Sequence, residues 1–147
     1  MMKKLFCLIL VTLTVLCCLT GCHFTQNISG SAAEEAEITP KVREMMTLLS
    51  QSRLDDVKAM MHPQAGQNLD KPLVQMISYL GGRNAAELEA TSINTKTSSS
   101  PTSQSKQVQV SYRVELTDHN VIYISTTYLS NNAGTGFVTF QLVLGVV

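Results

Sequence analysis

Apolar residues fall along this chain in three rhythms. From Leu5 to Leu19 they are nearly continuous, from Val42 to Leu80 they recur every three or four residues, and beyond Gly82 they alternate with polar ones. The middle rhythm predicts helices. Thr39 suits an N-cap and Pro40 a first helical position, ahead of Val42, Met45, Met46 and Leu49. Ser52, with Asp55 three residues on, predicts a second short helix whose apolar side is Leu54, Val57, Met60 and Met61. His62-Pro63 stops it, because a residue before proline disfavours the helical region. After a polar loop over 64–70, a third helix is expected over about 71–80. Its residues Leu73, Val74, Met76, Ile77 and Leu80 are apolar on nearly every side, so it should be well buried. Asp70 reads as its N-cap and Gly81-Gly82 as its C-terminal stop.

The alternating region predicts strands. Val108, Val110, Tyr112, Val114 and Leu116 alternate with Gln109, Ser111, Arg113 and Glu115, the pattern of a half-buried antiparallel strand. A turn over 117–120 leads to a strand over 121–129, and a turn over 130–134 to a last apolar strand over 137–147, expected inside the sheet rather than at its edge. A weaker strand over 87–96 comes first, and the serine-rich 97–105 reads as a mobile hairpin loop. Helices followed by a strand meander define an α+β fold class, with N-terminal helices packed on a curved four-stranded antiparallel sheet. Leu73, Ile77, Tyr112, Val114, Ile122, Phe140 and Leu142 are the expected core.

The first rhythm has a different purpose. Lys3 and Lys4 precede the apolar run, and small residues follow it up to Cys22, the layout of a secretory signal peptide. The run is shorter than the roughly 20 residues of a spanning helix. Leu19-Thr20-Gly21-Cys22 resembles the lipobox of bacterial lipoproteins. That resemblance implies signal-peptidase recognition at Leu19, Thr20 and Gly21 and lipidation of Cys22 by acyl chains such as palmitate. The alternatives are an ordinary secreted protein and an uncleaved membrane helix. Two or three chains anchor a domain firmly, at about 0.8 kcal/mol per buried methylene. The organisation expected is therefore a signal peptide over 1–21, a flexible tether over 22–39 and a domain over 40–147. The tether contains Ser29-Gly30-Ser31 and the acidic Glu34, Glu35 and Glu37.

Charge and cysteine usage narrow the classes further. The 147 residues hold 11 basic and 11 acidic side chains, a balance that argues against a nucleic-acid partner. At 44% hydrophobic and 15% charged, the chain is too apolar for disorder throughout. All four cysteines (Cys7, Cys17, Cys18 and Cys22) precede the domain, so neither a disulfide framework nor a thiolate metal site is expected within it.

The order of elements, with Leu54-Asp55-Asp56-Val57 before His62-Pro63 and the aromatic strands, resembles the nuclear transport factor 2-like superfamily and its cystatin-like cone. A plain helix-plus-meander fold is the alternative. The resemblance implies a conical pocket in which enzymatic members, such as ketosteroid isomerases, carry an Asp or His base and a tyrosine. Candidates for those roles here are poor. His23 falls in the tether and His119 in a turn, while His62 reads as a capping or solvated residue at a helix end. Asp55 and Asp56 suit a helix's first turn and Asp118 a hairpin turn. No catalytic residue, metal ligand or cofactor is assigned. Tyr112, Tyr123 and Phe140 are the candidate ligand-binding residues.

Two functions of different class follow. The first is a non-enzymatic binding or interaction module, anchored by lipid to a bacterial membrane and facing outside the cytoplasm. The membrane would be the outer one if the host has one, since His23 rather than aspartate follows Cys22. Its partner would be an envelope protein or a small apolar ligand. The second is an isomerase- or hydrolase-like pocket enzyme using His62 or Asp118 with Tyr112 or Tyr123.

Overall fold

The structure, a computed structural model, describes residues 24–29 and 32–143, with side chains from 32 to 142. The leader, the lipobox Leu19–Cys22 and His23 lie outside the described residues, as do 144–147 at the end of the last expected strand. The elements run β1 (Phe24–Ser29), α1 (Ala32–Ser50), α2 (Leu54–Ala59), α3 (Asp70–Leu80), β2 (Ala85–Ser100), β3 (Ser103–Leu116), β4 (Val121–Asn131) and β5 (Gly134–Val143). The class is α+β. All neighbouring strands pair antiparallel, and the sheet order is the chain order, β1-β2-β3-β4-β5.

The four expected strands are present, and β1 adds a fifth from within the segment read as a tether. It pairs with the outer edge of β2, from Phe24 opposite Ser99 to Ser29 opposite Asn94. Helix α1 also begins inside that segment, at Ala32 rather than at Pro40, which lies within the helix. The reason is local: Ala32, Ala33, Glu34, Glu35 and Ala36 are good helix formers, and acidic residues in a first turn favour the helix dipole. Apolar periodicity could not show this, because burial starts only at Ile38. Glu34 and Glu37 instead meet Lys106 of β3, at 3.3 and 3.6 Å. Thr39 is no cap; its hydroxyl shares a 3.2 Å hydrogen bond with that of Tyr112.

The core forms where α1 lies on the inner face of the sheet. Ile38, Val42, Met45, Met46 and Leu49 from α1 meet Val110, Tyr112, Val114 and Leu116 from β3 and Ile122 and Ile124 from β4, all essentially inaccessible. Leu73 belongs to this core, whereas Ile77 and Leu142 are only half-buried against it. The two-residue alternation of β3 appears as expected, and β4 follows suit, with Thr126 donating its hydroxyl to the Val110 carbonyl at 3.1 Å.

Three local expectations change. The serine-rich 97–105 is not a loop: β2 runs to Ser100, β3 starts at Ser103, and only Pro101 and Thr102 turn. Ser98 faces Ser105 and Ser99 faces Gln104, so backbone pairing holds a segment with little apolar content. Ser52 does not cap α2; it adopts a φ of +58° in the turn, and Arg53 occupies the cap position, its side chain donating to Asp56 rather than capping the helix backbone. Finally, β5 is a terminal strand of the described sheet rather than an inner one.

Candidate docking groove

Helix α3 differs most from its expectation and forms one wall of an uncharged groove. Only Leu73 and Leu80 are buried, Met76 and Ile77 are half-buried, and Val74 and Tyr79 remain 51% and 37% exposed. The helix is apolar on more sides than the core can cover. Its N-cap position is Leu69, and Asp70 in the first turn pairs with Lys58 of α2, whose ammonium it holds above its ordinary range. Pro72 sits in the same turn, where an absent N–H costs no helical bond. Gly81 closes the helix at a φ of +54°, its N–H donating to the Ile77 carbonyl at 3.0 Å.

Pro72, Met76 and Tyr79 are spaced as i, i+4 and i+7, so they share one face of α3. With Gln75 of the helix and Gln141 and Leu142 of β5 they enclose a groove of about 390 Å³. Past Met76 it continues into about 180 Å³ more, reaching Met61, Leu73, Val138 and Phe140. Every lining side chain is uncharged. Arg83 holds the far wall. Its guanidinium lies 5.3 Å from the Tyr79 ring centre, donates from Nε to the Leu80 carbonyl at 2.8 Å and also to the Tyr79 carbonyl, and pairs with Asp118 at 2.9 Å. Asp118 feels opposing influences: partial burial favours its neutral form, but bonds from Arg83 and Asn120 prevail and keep its carboxyl below the ordinary value.

At its other end β5 is held by the loop after α2. The Phe137 N–H donates to the Met60 carbonyl at 3.0 Å and the His62 N–H to the Phe137 carbonyl at 2.9 Å. The His62 ring is buried. Its Nε2–H donates to Asn131 Oδ1 and the Gly134 carbonyl, both at 3.1 Å, while Nδ1 accepts the Gln64 N–H at 3.0 Å. This pattern selects one neutral tautomer. Gly136 permits the approach, since a Cβ there would lie 2.7 Å from the His62 nitrogen and 2.8 Å from the Met60 oxygen. His62, expected to cap a helix end or be solvated, is thus buried and holds the start of β5 to the loop after α2.

The candidate ligand-binding residues do not converge. Tyr112 is buried beneath α1, where burial pushes its phenol upward, the bond to Thr39 opposes this and Glu35 adds to it. Tyr123 is 43% exposed, because alternate residues of β4 face opposite sides of the sheet. Phe140 alone reaches the groove, at its inner end, and packs edge-on against Phe137 at 5.7 Å between ring centres. None of the hydrogen bonds of His62 or Asp118 goes to a tyrosine. His119 is an exposed turn residue at a φ of +66° whose ring is bonded to Glu115 at 2.9 Å; that bond raises its pKa. Among the described residues no three His, Cys, Asp or Glu side chains are grouped to hold a metal, and no helix is long and apolar enough to cross a membrane.

Pro72, Met76, Tyr79, Gln141 and Leu142 form no motif in the sequence that marks a site. The available signal was the excess of apolar residues around α3, more than one buried face requires. Fold and groove together define, among the described residues, an α+β domain with an uncharged groove between a helix and the last strand. No family model, no characterised protein and no solved structure matches this chain.

Proposed function

We propose that this chain is a bacterial lipoprotein whose domain is a non-enzymatic binding or interaction module of the cell envelope. The anchoring half of the reading rests on Leu19-Thr20-Gly21-Cys22 after a basic and apolar leader. The binding half is carried by one observation, the uncharged groove between α3 and β5, with Tyr79 exposed on its wall. Apolar concavities with few polar groups are the usual form of ligand sites. The groups that an isomerase or hydrolase would use are engaged elsewhere, His62 in holding β5 and Asp118 in pairing with Arg83.

The domain is read as a variant of the nuclear transport factor 2-like or cystatin-like cone. Register shifts between Ala85 and Glu87, between Ala90 and Ser92 and at Thr127/Tyr128 favour a sheet curved around α1, since bulges bend and twist a strand. The groove then opens at the side of the cone, where α3 lies beside the last strand. Its occupant is an apolar ligand or an envelope protein, and the acyl chains on Cys22 keep the domain at the membrane surface.

Mass spectrometry of the mature N-terminus, beside a Cys22→Ser variant, tests the anchor. Wild type should carry acyl chains on Cys22 and stay with vesicles through a buffer wash, while the variant stays unprocessed. An unmodified N-terminus elsewhere, on a chain that washes off, refutes it.

A further inference from the structure

Strand β1 shortens the link between Cys22 and the domain to a single residue. Phe24 pairs with Ser99 beside the β2–β3 turn, and only His23 separates it from Cys22. At no more than about 3.6 Å per residue, Cys22 stays within about 7 Å of that pairing. The same end of the sheet holds the β4–β5 turn, where the Asn132 amide donates to the Thr102 carbonyl at 3.2 Å and joins the two turns. Beside them is a recess of about 500 Å³ lined by hydroxyl and amide side chains and Lys106.

Charge divides the sheet along its strands. From Lys96 to Gln107 the chain carries two lysines, no carboxylate and no apolar side chain except Pro101, and 130–136 is uncharged. Glu34 and Glu37 of α1 reach this end, where Lys106 meets both. The acidic residues of the described strands and their turns are Glu87, Glu89, Glu115 and Asp118, and all lie toward the opposite end, where Ala85 faces Leu116.

We propose that the end of the sheet bearing the β2–β3 and β4–β5 turns rests on the headgroup layer of the bilayer that holds Cys22, with the α3–β5 groove turned away from it. This rests on the anchoring half of the reading above. A long tether would let the domain tumble; one intervening residue does not. The acyl chains bring the bilayer to this end, and anionic headgroups repel the carboxylates of the other. With hydroxyls and amides in place of apolar side chains, the turns bond to headgroups and their water and stay out of the hydrocarbon. Leu142 of the groove wall faces Ile124, six residues along β4 from Ser130, which faces Lys106. At about 3.4 Å per residue the separation is about 20 Å along the strands, and β5 also lies at the far side of the sheet from β1. The groove therefore takes its occupant from the aqueous side and not from the anchoring leaflet.

The test places one fluorophore at a time on the full processed chain, in which Cys7, Cys17 and Cys18 have left with the leader, Cys22 is acylated and an introduced thiol is the only free one. Ser103→Cys and Ala133→Cys mark the two turns, and Ser78→Cys marks α3, all at exposed positions. The chains are reconstituted in vesicles of phosphatidylethanolamine and phosphatidylglycerol carrying a nitroxide quencher either on the headgroup or deep on an acyl chain. The expected result is loss of fluorescence at both turns with the headgroup quencher alone, and no loss on α3 with either. Equal quenching at all three sites, on a chain that floats with the vesicles, overturns the orientation and leaves the anchor in place. Stronger quenching on α3 than at the turns, or quenching of the turns by the deep probe, also overturns it. A chain without acyl groups that washes off the vesicles removes the anchor and this inference with it, and flotation reads that outcome separately from quenching.

Discussion

The two halves of β5 share a strand, a charge state and a neighbour in β4, yet among the described residues only one is bonded on both sides. From Gly134 to Phe137 the strand is gripped by the loop after α2, through two backbone hydrogen bonds and the buried ring of His62. Beyond Val138 the outer side faces the groove beneath α3. Backbone groups at a sheet edge must find partners, water or another chain. In one half other described residues supply them; in the other no described strand does.

The largest expected effect falls on the secured half. Gly136→Ala forces a Cβ against the backbone of Met60, Met61 and His62, none of which can rotate away as a side-chain tip would. Chemical denaturation should show a loss of about 3 kcal/mol, at the upper end for overpacking. A variant as stable as wild type would mean that the loop is not held at this distance. His62→Ala comes next. It removes the donor to Asn131 and Gly134 and the acceptor for the Gln64 N–H, and leaves a cavity in a buried site. A loss of about 2 kcal/mol is expected from denaturation, with faster amide exchange at Phe137. The smallest effect is predicted for the open half: Gln141→Ala, at an exposed position, should alter stability by less than about 0.5 kcal/mol when measured dilute. If it were as damaging as His62→Ala, the contrast between the halves would be lost.

How much of this was legible in advance depended on the kind of force involved. The buried face of β3 could be named residue by residue, since alternation reflects one dry and one wet side. So could the stop of α3 at Gly81, because a left-handed cap is a local requirement. The start of α1 was misplaced for the opposite reason: helix propensity and contacts with Lys106, not an apolar stripe, hold its first turns. The serine-rich arms of β2 and β3 look like a loop by composition, which reports burial, while their order comes from pairing. For the candidate site the gap was wider. Aromatic character alone points to Tyr112, Tyr123 and Phe140, and the first two lie on opposite faces of the sheet with neither lining the groove.

Periodicity, turn chemistry and composition were enough to establish an α+β chain with three helices ahead of a four-stranded meander. These are local properties, set by the preferences of neighbouring residues and by which side of an element is apolar. Tertiary structure alone decided that β5 would lie at the edge, that His62 would be buried against it, and that α3 would leave Tyr79 and Met76 beside an open channel. Those outcomes depend on which distant segments meet, here residues about seventy positions apart, and no periodic pattern within either segment encodes the meeting.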